Sequence, residues 1–498
     1  MSFSFRTSSR LLPIVVAALG LLVLSCVLLP LKNPVSLDDG LRHYMMGKEM
    51  GEQGILQVRG WSRWFFAGYL HDHPVDPWFL SDVLYLPFTV FPLIPALKLF
   101  ALFSIAFLLA SFLLCLRSMR VGPVASAFLV FLLLFGNQEF TFRLLFGRPF
   151  VVVTAVTMLL FLCVIRQRPL LVAILMAVAT LLSQLFVFPF VISILGCALF
   201  WWRGESKVSL RLFLASMIGL TFGFLLHPFP LEYVRYIWLI FLPTSSTGFP
   251  DRGSEMFSGF GNEGLLFVVG GLIVLLHVLW MKKRKLKIIE QSVLLLEAIV
   301  VMFLILFLLY SRAIDFLWPF VLLLLGVLLA HEGHTLRKIG TIVFPAGVHR
   351  VVLMLCLMLL LCALFFLSGA VNLLAYDRER SLIPMQRALE KLPPRSRVLN
   401  VDWDTFPFLV AVRPDLQYAF GMDPIFIYAS NSGSYALIRM THSIVRLPDE
   451  RKYLDAKRWV EALTAIHPSD YVLLSAQKME PIIEGLDRAG FENVSDDP

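Results

Sequence analysis

Charge is what this chain has least of. Only 16% of its residues are charged, against 58% hydrophobic, and 44 of its 498 residues are Phe. A water-soluble surface needs about a quarter charged residues, so this balance excludes both a disordered chain and an ordinary soluble core, and it describes a polytopic membrane protein. Cysteine is equally uninformative as chemistry. The six cysteines (Cys26, Cys115, Cys163, Cys197, Cys356 and Cys362) all lie inside apolar runs. None stands where an oxidising compartment could pair it, and no CxxC or Cys/His zinc spacing exists, which excludes a disulfide framework and a thiolate metal site. No basic patch interleaved with aromatics occurs in the polar tail, so nucleic acid is not an expected partner. There is no internal repeat and no low-complexity segment.

What is present is a series of apolar runs, each long enough to cross about 30 Å of hydrocarbon. Spans are expected at about 11–31, 99–116, 121–136, 149–165, 169–185, 186–202, 210–226, 264–281, 289–310, 314–330 and 350–371. The division between the fifth and sixth rests on Gln184 and Pro189, which interrupt one long run. The stretch 84–98, with Pro87, Pro92 and Pro95, reads as a re-entrant or interfacial piece. The first run is preceded by Arg6 and Arg10 in the manner of a signal peptide. It is about twenty residues long without a clear small-x-small cleavage site, and is expected to stay as an uncleaved first helix.

Charge gives an independent test of this layout. With a cytoplasmic N-terminus and eleven crossings, the inner segments carry seventeen cations, including Lys282, Lys283, Arg284, Lys285 and Lys287, against three acids, Glu205, Glu290 and Glu332. The opposite loops up to residue 371 hold thirteen acids and eleven cations. That asymmetry follows the positive-inside rule and places the long first loop and the C-terminal tail outside the plasma (inner) membrane. The net charge of +8 therefore reflects orientation.

Two parts are expected: a membrane domain over 1–371, with enlarged outer loops at 32–83 and 227–263, and a tail over 372–498. In the tail, short β-type runs at 398–401 and 471–475 alternate with helical stretches at 381–391, 450–466 and 476–489. That alternation predicts a small α/β domain. Asp402 and Asp404, flanking Trp403, fit a strand end with polar turn residues.

The densest polar chemistry follows the first span. Asp38 and Asp39 open a loop of roughly fifty residues. Ser36–Asp39 fits the S-x-x-[DE] capping box, so Asp39 can simply start an amphipathic helix over about 37–53. Capping does not account for Asp38 as well. Helical spacing stacks Asp39 with His43 and Asp38 with Arg42. The positive end of a helix favours both carboxylates ionised, which suits a general base or a divalent-cation ligand.

Further on, His71-Asp72-His73-Pro74-Val75-Asp76-Pro77-Trp78 and Asp82 pack five candidate ligands closely. Asp72, His73 and Asp76 are the candidate metal set, with Mg²⁺ or Mn²⁺ the ion. The spacing fits no zinc signature, and a hydrated loop rich in Asp-Pro and His-Pro turns explains it as well. The candidate substrate- and phosphate-binding groups are His43, Arg148, His227, Glu255, Arg312 and Asp315. Ionisable groups at membrane depth cost about 2.5–3.5 kcal/mol each and usually face a bundle interior or cavity. For Arg312 and Asp315 a turn-capping ion pair is the alternative to a guanidinium held for phosphate.

A short cytoplasmic N-terminus, one span, an acid pair and a long outer loop resemble the GT-C superfamily of membrane glycosyltransferases in its bacterial form. So do about eleven spans followed by an outer soluble domain. Asp38–Gly54 (DDGLRHYMMGKEMGEQG), DPW at Asp76–Trp78 and HPFP at His227–Pro230 are similar to outer-loop patterns of that superfamily. The resemblance implies sugar transfer from a polyprenyl-phosphate-linked donor to an acceptor on the outer face. It places a catalytic base or metal ligand at Asp38 or Asp39, with a second acidic position at Asp72 or Asp76. The chain has neither the WWD-type motif of the oligosaccharyltransferases nor the doubled-proline motif of the protein O-mannosyltransferases, which leaves the acceptor open. A flippase or transporter of lipid-linked saccharide is the rival reading; few midplane ionisable residues (Glu297 almost alone) and no inverted repeat support it. A non-catalytic scaffold with an outer binding domain is the third.

Overall fold

In a computed structural model the chain is described over residues 5–29, 39–241, 289–309, 311–331, 383–401, 405–421, 426–427, 433–437 and 449–474, with a few isolated positions beyond. The expected spans at 264–281 and 350–371, together with Asp38, Glu255, Asp402 and Asp404, lie outside the described residues. The helices are α1 (Phe5–Leu28), α2 (Asp39–Gln53), α3 (Tyr69–Asp72), α4 (Phe79–Tyr85), α5 (Leu93–Ser118) and α6 (Pro123–Phe135). They continue with α7 (Gln138–Leu144), α8 (Phe150–Ile165), α9 (Pro169–Leu182), α10 (Val187–Trp202), α11 (Ser206–Leu226) and α12 (Pro230–Phe241). After these come α13 (Ile289–Leu309), α14 (Ile314–His331), α15 (Ile383–Glu390), α16 (Phe406–Val412) and α17 (Asp449–Ile466). Three strands, β1 (Arg397–Asn400), β2 (Gln417–Tyr418) and β3 (Tyr471–Leu473), form a parallel sheet in the order β2-β1-β3.

Among the described residues four helical segments are long and apolar enough to cross a membrane unaided: Leu11–Leu28, Leu93–Ser118, Gln184–Trp202 and Ser206–Leu226. Shorter apolar helices accompany them, among them Pro123–Phe135, Phe150–Ile165, Pro169–Leu182 and Ile314–Ala330. The chain is thus a helical protein built for a membrane. Local chemistry explains where two helices begin. Pro95 sits in the first turn of α5, where a missing N–H costs nothing, so the prolines of 84–98 start a helix six residues earlier than the expected span at 99. Between α9 and α10 the polar Ser183-Gln184 pair breaks the run into a single 3₁₀ turn, with Ser183 Oγ accepting from the Leu185 amide at 3.2 Å.

The contacts divide the chain into two compact units. The first comprises Met1–Val35, Leu97–Leu226 and Arg252–Tyr376. Within it α1 packs on α6, α9 on α11, α10 on α11, and α13 on α14. Gly219 and Gly223, a G-x-x-x-G pair on α11, let α9 approach closely. A Cβ on Gly219 would meet the Ala173 carbonyl, and one on Gly223 the Thr180 side chain. Ser193 and Ser216 share a hydroxyl hydrogen bond of 2.5 Å between α10 and α11. Phe303 stacks on Phe316 at 5.3 Å, and Phe188 packs against Phe316 at a tilt, 4.8 Å away. The outward face of α11 presents Leu210, Phe213, Leu214, Met217, Ile218, Phe222, Leu225 and Leu226, an apolar stripe that water would not tolerate and lipid does. Trp201 and Trp202 stand exposed at the end of α10 beside Arg203, as in an interfacial aromatic belt.

The second unit comprises Ser36–Ala96, His227–Asp251 and Asp377–Pro498. Most of the first polar loop and the 227–251 part of the second thus group with the tail, whereas the sequence expectation placed both loops in a membrane domain over 1–371. The reason is visible in the contacts. The Phe66 amide donates to the Tyr418 carbonyl at 3.2 Å, and Phe65 bridges to Tyr418 in parallel, so the first loop extends the edge of the tail's sheet. Phe406 of α16 lies between Phe65 (4.6 Å, stacked) and Trp61 (6.1 Å, edge-on). The strands at 397–400 and 471–473 match the expected runs, whereas α16 and β2 were not foreseen. Both are short, and their buried faces are made by Trp61, Phe65 and the partner strands, which lie far away in sequence.

Candidate functional site

The second unit gathers the loop's ionisable groups into a buried cluster. Helix α2 supplies Arg42 and His43 from adjacent positions, and α4 supplies Asp82. His43 is 1% exposed and Asp82 fully buried, and His43 Nδ1 is in direct hydrogen-bond contact with Asp82 Oδ1. The imidazole stacks on Tyr85 (5.9 Å, 15°) and meets Trp78 edge-on. The Arg42 guanidinium lies 3.9 Å from the centroid of the Trp78 ring. Trp78 of the Asp-Pro-Trp motif therefore serves both cation and imidazole. Gly47 permits the arrangement, since a Cβ there would come within 3.0 Å of the Asp82 carbonyl.

Asp76 lies at the centre of the cluster. Its Oδ1 accepts from the Trp78 amide at 3.1 Å, closing an Asx turn over Pro77. Burial pushes its carboxyl above the ordinary carboxylate range, and the nearby Asp82 carboxyl and Trp61 indole offset that in part. Among the described residues none completes a hydrogen bond of good geometry to Oδ2. The two carboxyl groups of Asp76 and Asp82 therefore share one dry environment.

His227 is fixed by its partners. Nε2 donates to the Asp76 carbonyl at 2.9 Å, and Nδ1 accepts from the Phe229 amide at 3.0 Å. These two bonds specify the neutral Nε2–H tautomer, and burial accordingly lowers the imidazole's pKa. Tyr233 stacks on its ring at 4.5 Å, and Phe79 meets it edge-on at 5.6 Å. The sequence offered His227 as a phosphate ligand. With both nitrogens engaged it instead joins the second polar loop to the first.

The candidate metal set is not assembled. Asp72 is exposed and hydrogen-bonded to His71 at 2.9 Å. His73 Nδ1 contacts Glu232 of α12 at 2.9 Å, with Tyr69 against its ring, and Asp76 is buried in the cluster just described. Among the described residues no group of three or more His, Cys, Asp or Glu side chains could hold an ion. Adjacency in sequence misled here, because the two prolines and the α3 turn send the three side chains in different directions.

Asp39 is the first described residue of α2, four positions before His43. The expected capping residue Ser36 lies outside the described residues, and the helix is described from Asp39 onward. In the first unit Arg143 grips Asp315 in a bidentate pair, Nε–Oδ1 and Nη2–Oδ2 both at 2.7 Å, with both side chains buried. Asp315 therefore pairs across 172 residues rather than with Arg312 three residues away. Arg312 is exposed on a 3₁₀ turn. Arg148 is 4% exposed, with its guanidinium 5.2 Å from the Phe146 ring centroid.

Sequence reasoning undervalued Arg42 and Asp82 and missed Glu232. Asp82 had a usable signal: it lies in the first turn of a helix immediately after Asp-Pro-Trp. Glu232 had none, since its contact with His73 spans 159 residues. Compared with known proteins, the chain matches no family model, and no curated protein is significantly similar to it.

Proposed function

We propose that this protein is a GT-C-like membrane glycosyltransferase, crossing the plasma (inner) membrane about eleven times with its N-terminus inside. It moves a sugar from a polyprenyl-phosphate-linked donor to an acceptor on the outer face. The observation that supports this most is the buried Arg42–His43–Asp76–Asp82 cluster, built by the loop after the first apolar helix, with Asp39 on the same helix four positions before His43. An acid at that position suits base catalysis on a hydroxyl acceptor, and the cluster behind it holds the helix that carries it.

The reaction is an inverting displacement. Asp38 or Asp39 takes the proton of the acceptor hydroxyl as its oxygen bonds to the anomeric carbon, and the bond from that carbon to the lipid phosphate breaks. The departing phosphate needs a cation, which Arg148, Arg312 or a divalent ion could supply. A divalent ion is compatible with this chemistry. The described carboxylates form no set that would hold one alone, and no step is assigned to it.

The test uses purified full-length protein in vesicles with a polyprenyl-phosphate sugar, measuring release of polyprenyl phosphate. Replacing both Asp38 and Asp39 by Asn is expected to lower release by about 10²–10⁴-fold, the usual contribution of a general base. Undiminished release by the double variant overturns the assignment. Movement of the intact donor without release points to a flippase instead.

A further inference from the structure

Helix α12 follows α11 after only His227-Pro228-Phe229, and it carries two unlike faces. On one, Tyr233 and Tyr236 are buried at 0% and 1%, packed against His227 and Phe426. On the other, Leu231, Val234 and Trp238 are exposed at 77%, 50% and 69%. Their spacing of three and four residues lines them along one side of the helix. The charges beside them cancel: Arg235 Nη1 lies 2.8 Å from Glu232 Oε1, so the stripe offers a partner apolar surface without net charge.

The covalent chain limits what that surface can meet. Four residue steps separate Leu226 from Pro230, a reach of at most about 14 Å, so α12 begins close to the end of an apolar helix long enough to cross the membrane. Leu225 and Leu226, the last residues of that helix, are themselves exposed apolar side chains. A second outward apolar patch in the same unit, Val90 and Phe91, stands immediately ahead of α5, another membrane-length helix. Each patch thus adjoins a span end, and the one surface common to both places is the bilayer interface.

We infer that α12 is an interfacial helix lying along the lipid surface, with Leu231, Val234 and Trp238 at the headgroup–acyl boundary. A Trp at one end of such a stripe suits the interface because its ring is apolar and its N–H can stay hydrated. The inference is independent of any transfer reaction. It makes the lipid surface a binding partner of the polar unit, because the opposite face of the same helix holds His227 through Tyr233, and Glu232 at its flank contacts His73.

The experiment places single nitroxides at Leu231→Cys, Val234→Cys and Trp238→Cys in the full-length chain, its native cysteines replaced by Ala, in nanodiscs of zwitterionic and anionic phospholipid. Accessibility to oxygen should exceed that to a nickel chelate at all three sites, corresponding to a depth of about 5–10 Å. Chelate accessibility equal to that of an exposed reference label at His71→Cys would mean a water-facing helix and overturn the inference. Exclusion of both agents would mean a protein-covered face and overturn it too. A second measurement needs no cysteine. Trp238→Phe should reduce the fraction of tryptophan emission quenched by brominated lipid, and an unchanged fraction counts against the interfacial placement.

Discussion

Asp76 and His227 are bonded neighbours whose protonation pulls in opposite directions. The carboxyl of Asp76 is pushed up from 3.8 by burial, so the native state binds a proton that the unfolded chain has released. Its stabilising contribution is complete below about 4 and is lost as pH rises through the elevated value. The imidazole of His227 is pushed down from 6.5, so its contribution is present above that value and is lost as pH falls through the depressed one. Asp76→Asn, which mimics the neutral carboxyl, should flatten the decline in thermal stability on the alkaline side. The loss below pH ~6.5 should persist in that variant and disappear in His227→Gln; melting of the detergent-solubilised protein across pH 4–8 checks both. The His43–Asp82 pair gives a second prediction at this scale. Removing either partner strands a buried polar group, so Asp82→Asn or His43→Ala should each lower stability by several kcal/mol, up to about 3–5. The double variant should cost less than the sum of the two, which a double-mutant cycle would measure.

Single elements depend on a few close approaches. Gly219 and Gly223 allow α11 to lie against α9, and Gly219→Leu should separate them, costing about 1–3 kcal/mol and lowering the melting temperature. Gly60 has φ +56° and its missing Cβ faces the Val75 carbonyl, 2.6 Å from where that atom would be. Gly60→Ala should therefore shift Trp61 away from Asp76, seen as a change in tryptophan emission, whereas Gly54→Ala, also at positive φ but meeting only the Gln57 side chain at ordinary contact distance, should not. Helix boundaries were the most legible part of the sequence. Apolar run length set α8, α10 and α11 to within a few residues, and the C-terminal end of α5 as well. The polar site was legible as a place and much less so as an arrangement. His43 and Asp76 stood out as residue types, yet their partners Asp82 and His227 are 39 and 151 positions away, and local periodicity carries no information about such pairs.

For the whole molecule, the same charge counts that imply orientation give a direct check. The proposed orientation, drawn from seventeen cations against three acids, predicts that a membrane-impermeant maleimide labels His71→Cys in intact cells and Lys283→Cys only after permeabilisation. The reverse pattern would invert the topology. The division into two units has a separate consequence, in time. The stretch from Ser36 waits for Asp377 onward before its sheet edge at Tyr418 exists, and more than three hundred residues lie between them. At about 5–20 residues per second, synthesis leaves Trp61, Trp64 and Phe65 without their burial partners for tens of seconds. A chain that stops before the tail would present those aromatics permanently, and quality-control proteases would find it by the side chains that a completed chain hides.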